Sequence, residues 1–405
     1  MTPLLRHAPP SVEPIDAARS NRALATRMAI PTRRWLRASI TVVSKLWSLC
    51  GISLLMIVAI ELLATAWLRV TDRSGMSEDP RVHADGYRDA DWVEAYFQEF
   101  NAANHVAWRP FVYWRREPFH GRFVNIDEQG LRKTWNPPAP ASDRAPRIFI
   151  FGGSTMWGTG ARDDFTIASW LAKLLAEHGH GASVTNFGEG GYVSMQELIA
   201  LETELQQGNI PDLVVFLDGV NDVFAAFQNG APGIPQNERN RVREFNIDQR
   251  IYREALQTWF KDSAVFALFA PAPSDAAPRA VGLDQLSAAV IERYVAVVGM
   301  IDNLAHAYHF RTQFYWQPVI FTKQHLTSYE KGEWEKQSLL ASFYQNVYGQ
   351  AQVRSTWPVR YLGDLFGDDP NPYFIDFCHL TESGNERIAR AMVDDVSATL
   401  GQPAP

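Results

Sequence analysis

The sequence predicts a three-layer α/β/α domain around a mainly parallel five-stranded sheet, preceded by one transmembrane helix. Three observations predict it. From Arg147 onward, short apolar runs alternate with stretches of helical period, the pattern of a parallel sheet covered on both faces. Leu46 to Leu68 holds one charged residue, Glu61, in 23 positions, enough to span a bilayer core as a helix. The charge is also divided. Eight Arg or Lys residues stand against Glu13 and Asp16 in the first 45 positions, a balance of +6, so the formal −7 of the 405-residue chain conceals −13 in the remainder.

That division sets the expected topology. A basic leader stays on the cytoplasmic side, so residues 1–45 read as a cytoplasmic tail, 46–68 as the anchor in the inner (plasma) membrane, and the rest as periplasmic or extracellular. Trp47 and Trp67 mark the two ends of the span, where amphipathic rings favour the interface. Glu61 lies near the outer end and can reach that interface. Ala64-Thr65-Ala66 has the small-x-small form of a signal-peptide cleavage site; cleavage there is the competing reading, and it exports the same domain. An acidic body argues against nucleic acid, which demands a basic footprint. The hydrophobic fraction of 46% argues against disorder. Cys50 in the span and Cys378 far beyond it are not expected to pair, so packing must hold the fold.

Residues 69–146 follow as a juxtamembrane helix and β-rich cap. Trp92, Tyr96 and Phe97 within Asp91 to Phe100 suit a short amphipathic helix. Trp108 to Thr134 reads as short strands broken at Glu117-Pro118 and Gln129-Gly130. Its interleaved arginines and aromatics fit carbohydrate or anion binding, or a cap that packs on the main domain with its arginines paired to acids. Pro137 to Pro140 marks a linker.

The main domain, 147–405, begins with Arg147 to Phe151, an apolar run closed by Gly152-Gly153 and typical of a buried parallel strand. Helix Phe165 to His178 stops at Gly179. Ser183 to Phe187 is the second strand, Tyr192 to Gln207 the next helix, and Leu213 to Leu217 the third strand. An insertion occupies about 223–310, with helical segments over much of Gln249 to Ala307. Phe314 to Phe321 is the fourth strand, with Pro318 near its end because proline cannot donate to a ladder. Val359 to Leu362 is a short fifth, and Glu382 to Leu400 the final helix.

In such a sheet, sites form at the carboxyl ends of strands, where short motifs fall. Gly152-Gly153-Ser154 follows the first strand and lifts a hydroxyl out of a tight turn. Asn186 to Gly191 follows the second, with glycines that expose backbone N–H groups. Asp218-Gly219-Val220-Asn221-Asp222 follows the third and offers a side-chain amide. Asp376-Phe377-Cys378-His379 precedes the last helix, at a spacing that lets Asp376 and His379 activate one serine. Trp157 and Tyr192 flank these loops as cleft walls or as core. The pattern has no Gly-Lys-Ser/Thr phosphate loop and no full dinucleotide fingerprint, and the lack of His-Glu-x-x-His or Cys-x-x-Cys argues against a metal; no cofactor is expected.

In order and spacing the four blocks resemble the SGNH (GDSL-like) hydrolase family, in its membrane-anchored bacterial form, over about residues 147–400. The resemblance implies a flavodoxin-like fold, Ser154 as nucleophile, Asp376 and His379 as its partners, and an oxyanion hole from the backbone N–H groups of Ser154 and Gly191 with the Asn221 amide. One position departs: the family's Gly-Asp-Ser is Gly-Gly-Ser here, with Gly153 in place of Asp. The implied activity is a serine esterase acting on an ester-bearing substrate, with O-acetyl groups of an exported glycan as the candidate. The alternatives are an O-acyltransferase, which needs a separate membrane acyl-donor partner, and an anchored, non-catalytic glycan-binding subunit. The lipid bilayer, through residues 46–68, is the other expected partner.

Overall fold

The computed structural model describes residues 17–74, 79–138, 145–248, 282–354 and 358–403. The first 16 residues of the basic tail, part of the Pro137 to Pro140 linker and all of 249–281, where much of the insertion's helical reading falls, lie outside them. The described chain divides into an N-terminal helical unit and the larger unit that follows.

The N-terminal unit is one continuous helix, Ala17–Ser74. Within it, Arg37–Trp67 is long and apolar enough to cross a membrane. At about 1.5 Å per residue such a stretch exceeds the ~30 Å hydrocarbon core. The stretch begins ahead of Leu46, and its polar residues there are satisfied locally: the Thr41 hydroxyl donates to Arg37 O at 2.8 Å and that of Ser44 to Thr41 O at 3.0 Å. Leu49, Leu55 and Leu63 project outward, 62–71% exposed, an apolar surface suited to lipid rather than water.

In the larger unit, two small antiparallel pairs come first. Strands β1 (Val106–Arg109) and β2 (Tyr113–Arg116) form a hairpin, and β3 (Phe119–His120) pairs with β4 (Asn125–Ile126). The helix Val93–Ala102 precedes them, with Tyr96, Phe97 and Phe100 buried. These three, with Tyr87 and Phe123, make a small core of their own that closes on Trp157 and Ile375 of the main domain.

The main sheet contains β5 (Arg147–Gly152), β6 (Ser183–Asn186), β7 (Leu213–Asp218), β8 (Arg311–Trp316) and β9 (Arg360–Tyr361). Their order is β6-β5-β7-β8-β9, and every pairing is parallel. In chain order this is 2-1-3-4-5, the flavodoxin-like arrangement. Right-handed crossovers on the two sides of β5 place helices on opposite faces. Ile167–Glu177 packs with Glu382–Leu400, while Ser194–Gln206, Val220–Asn229, Leu283–Tyr308 and Ser338–Gln352 pack with one another. A row of rings, Phe187, Phe151, Phe216 and Phe314, crosses the sheet with successive centroids 5.0, 5.1 and 5.3 Å apart.

The fourth strand lies earlier than the Phe314 to Phe321 reading. It starts at Arg311 and stops at Trp316. Gln317 N–H makes a last bond to Asp218 O at 2.8 Å, and Pro318 then has no donor with which to continue. Trp157 and Tyr192 are core, 0% and 1% exposed.

Candidate active site

Strand β5 ends at Gly152, and Ser154 opens a one-turn helix, Ser154–Trp157, capped by Gly153. The turn is tight because Gly153 O accepts from Trp157 N–H at 2.9 Å, and Ser154 O from the N–H groups of Gly158 and Thr159 at 3.0 Å each. The serine hydroxyl therefore stands at the carboxyl end of β5, an inner strand of the sheet.

The Asp376–His379 loop meets it from the far end of the chain. The loop is closed by Ile375 N–H to His379 O at 3.0 Å and Thr381 N–H to Tyr373 O at 2.8 Å. Thr381 caps the final helix by accepting from Gly384 N–H. From Ser154, Thr155 Oγ1 donates to Cys378 O at 3.2 Å, and Gln317 donates to that same hydroxyl. The result is a relay. Ser154 Oγ lies 2.6 Å from His379 Nε2, and His379 Nδ1 lies 2.6 Å from Asp376 Oδ2. The network assigns the ring proton to Nδ1. Asp376 Oδ1 accepts from the N–H groups of Cys378 and His379 at 3.0 and 2.8 Å. Burial opposes the carboxylate's charge, but the His379 ring and these donors hold its pKa well below the usual range.

The second block folds on itself. Asn186 Nδ2 donates to Met156 O at 2.9 Å, and Asn186 Oδ1 accepts from Gly188 N–H at 2.9 Å. This draws the loop so close to the Ser154 turn that a Cβ on Gly188 would lie 2.6 Å from Trp157 N. Gly191 adopts φ +79°, a left-handed backbone natural to glycine. In the third block, Asn221 sits in the first turn of Val220–Asn229, and its Nδ2 lies against Gly153. The four sequence blocks thus converge on Ser154.

Several contributors were not legible in the motifs. Gln236 donates to Asn221 Oδ1 at 3.3 Å and fixes which way that amide points. Glu189, fully buried, lies 3.5 Å from Arg116 Nε and 3.9 Å from Arg115 Nε. Arg116 N–H also donates to Glu189 Oε2 at 3.0 Å. Trp157 is held between the guanidinium groups of Arg116 and Arg132, 4.3 and 4.2 Å from its ring centroid. Arg115, Arg116 and Arg132 of the cap are thus paired to acids, and Arg115 and Arg132 also donate to backbone carbonyls of the turns after β6 and β5.

The third block brings its own two acids, Asp218 and Asp222, together with Glu197 in the interior. Burial pushes Asp222 up to about 6, against bonds from the Ser194 hydroxyl and N–H. Burial also raises Glu197 and Asp218, which face one another; Asp218 Oδ2 accepts from the Tyr294 hydroxyl at 2.8 Å. Asp376, Cys378 and His379 bring metal-ligand atoms within 4.8 Å. His379 Nδ1 is already engaged by Asp376, and burial raises the Cys378 thiol, so the set suits proton transfer better than an ion. A cleft of about 1040 Å³ between the β1–β2 hairpin and Ser194–Gln206 includes no member of the relay.

Comparison with known proteins agrees with this architecture. The model of the GDSL-like lipase/acylhydrolase family matches residues 150–387. Similar solved structures include an acetyl xylan esterase, 14% identical over 62% of this chain and 99% of its own, with a TM-score of 0.33. A member of the lipolytic G-D-S-L family from Veillonella parvula is 13% identical over 61% and 96%, with a TM-score of 0.32. An acetylxylan esterase from Geobacillus stearothermophilus is 13% identical over 64% and 94%, with a TM-score of 0.30. No curated protein matches the chain.

Proposed function

The chain belongs to the GDSL-like lipase/acylhydrolase family, serine hydrolases that act on esters, and from that premise we propose that Ser154, His379 and Asp376 are its catalytic triad. The observation that carries this reading is the pair of 2.6 Å contacts linking the three side chains. His379 Nε2 takes the hydroxyl proton as Ser154 Oγ attacks the ester carbonyl. Asp376 holds the ring in the required tautomer and stabilises the imidazolium. The tetrahedral oxyanion is met by the N–H groups of Ser154 and Gly191 and the amide of Asn221. The imidazolium returns its proton to the departing alcohol, leaving an acyl-serine. Water, deprotonated by the same imidazole, then releases the acid. Each preorganised oxyanion donor is worth about 3–4 kcal/mol in such a transition state.

The proposal extends to place and substrate. The basic leader and the apolar stretch Arg37–Trp67 support an inner-membrane anchor with the catalytic unit outside the cytoplasm. The ester is an O-acetyl group of an exported glycan. Exposed Trp108 and Phe111 on the hairpin beside the second block support that choice, because sugar rings present apolar C–H faces that pack on aromatic rings.

A fluorophosphonate probe tests the nucleophile. Wild-type protein labels, and Ser154→Ala abolishes labelling; labelling that survives in Ser154→Ala overturns the assignment. Acetate release from an acetylated glycan tests the substrate, and net acyl gain on a bare glycan supplied with an acyl donor refutes hydrolysis in favour of transfer.

A further inference from the structure

The cap reaches the oxyanion hole through one side chain that no motif marks. Trp114, on β2, donates its indole Nε1–H to the carbonyl oxygen of Gly190 at 2.9 Å. That carbonyl belongs to the same peptide unit as the N–H of Gly191. The unit is trans, and a planar trans peptide points its C=O and N–H in opposite directions. Whatever holds the Gly190 oxygen therefore sets the direction of the Gly191 N–H.

The neighbouring bonds leave this peptide little other choice. The preceding unit is fixed by Glu189, whose Oε1 accepts from Gly190 N–H at 2.8 Å. The Trp114 ring is itself held. It packs edge-on against Tyr192 with centroids 5.5 Å apart, the Tyr192 hydroxyl donates to Trp114 O, and Arg241 lies 4.9 Å over its face. The ring edge also reaches Gly191, where a Cβ would lie 3.5 Å from Trp114 Cζ2. A hydrogen bond accepted by a carbonyl polarises its amide and strengthens the N–H at the other end.

We propose that Trp114 is a positioning residue for the oxyanion hole: by holding the Gly190 carbonyl, its indole N–H aims the Gly191 N–H at the reacting oxygen. This rests on the reading of Ser154 and Gly191 given above. It assigns the cap, which lies outside the matched family region, a part in the chemistry rather than in packing alone.

The test is the inactivation of the full chain by a fluorophosphonate, resolved into the maximal rate and the half-saturating concentration. Trp114→Phe keeps an aromatic ring and removes the N–H. The maximal rate is expected to fall about 10- to 100-fold, with half-saturation within about 3-fold of wild type, since the lost interaction is made only in the transition state. If Trp114→Phe fails to fold, the benzothiophene isostere of tryptophan, introduced at 114 with sulfur in place of N–H, preserves the shape and decides the matter. An isostere protein with wild-type maximal rate overturns the proposal, as does a change confined to half-saturation. Ser154→Ala separates the two ideas: if it still labels, the reading of the site has failed; if it is silent while the isostere protein reacts normally, only the role of Trp114 has.

Discussion

Asn221 Nδ2 occupies the space where a side chain at residue 153 would begin: a Cβ on Gly153 would lie 2.1 Å from it. The family's Gly-Asp-Ser pattern is broken here at that residue. Gly153 has φ −79°, an ordinary backbone for any residue, so the requirement for glycine is one of space. The amide is brought up against the Ser154 turn, and Gln236 holds its other end.

Gly153→Ala should consequently damage chemistry more than folding. The clash is with the end of a side chain that can swing away, so the thermal midpoint should move little. On the proposed mechanism the swing removes an oxyanion donor, and loss of one such donor costs roughly 100- to 1000-fold in kcat. A fall of at least about 10-fold in kcat with KM nearly unchanged is expected, since displacement is milder than deletion. Wild-type kcat in Gly153→Ala would show that the amide takes no part.

Arg132 tests the cap's structural share. Its side chain is fully buried, 3.0 Å from Asp163, and it donates to the carbonyls of Gly158 and Ala161 just past the nucleophile turn. Burial raises the pKa of Asp163, and Arg132 opposes that rise. Arg132→Met strands the carboxylate and breaks the bonds to the Gly158, Ala161 and Trp157 carbonyls, at a cost of about 3–5 kcal/mol in urea unfolding. Adding Asp163→Asn should recover part of the loss by removing the stranded charge. A single variant as stable as wild type would mean that water reaches the site.

These two sites show how far the sequence could be read. Ser154, Gly191, Asn221, Asp376 and His379 stand where a strand ends or a helix begins, and such turns are set by residues close in sequence. The alternation of apolar runs and helices pointed to a parallel sheet covered on both faces, while its flavodoxin-like order was implied only by the family resemblance. The partners of the cap arginines did not. Their expected pairing with acids did not identify Glu189 or Asp163, because each contact joins segments roughly 30 to 75 residues apart whose meeting depends on packing. Trp157 looked equally suited to a cleft wall until the cap was seen to enclose it. Gln236 falls in the long connection after Asn221, where no periodicity marks a side chain that reaches back.

Membrane attachment can be tested apart from the chemistry. If Arg37–Trp67 spans the bilayer, the full chain remains in the membrane pellet after an alkaline carbonate wash. With the expected orientation, protease added to intact spheroplasts degrades the catalytic unit and spares the basic leader. Recovery of a soluble chain whose N-terminus begins near Trp67 would instead establish cleavage after Ala64-Thr65-Ala66.

The buried acids set a pH dependence of stability. Asp222 is raised by burial from 3.8 to about 6 in the fold, with the Ser194 hydroxyl 2.6 Å away. A raised folded pKa means that the native state keeps a proton the unfolded chain has released. The contribution is fully present below about pH 4 and is lost as pH rises through about 6. At roughly 1.4 kcal/mol per unit, that amounts to about 3 kcal/mol. Glu197, raised by burial and by Asp218, and Asp218, raised by burial and by Asp222 against a bond from Glu197, add in the same direction. Asp376 acts oppositely, since its lowered pKa costs stability only as pH falls below about 4. Asp222→Asn retains the acceptor for Ser194 and removes the titration. Between pH 4.5 and 7.5, urea unfolding should therefore find wild type losing about 2–3 kcal/mol more than Asp222→Asn. Parallel curves for the two proteins would mean that Asp222 is hydrated enough to ionise freely in the fold.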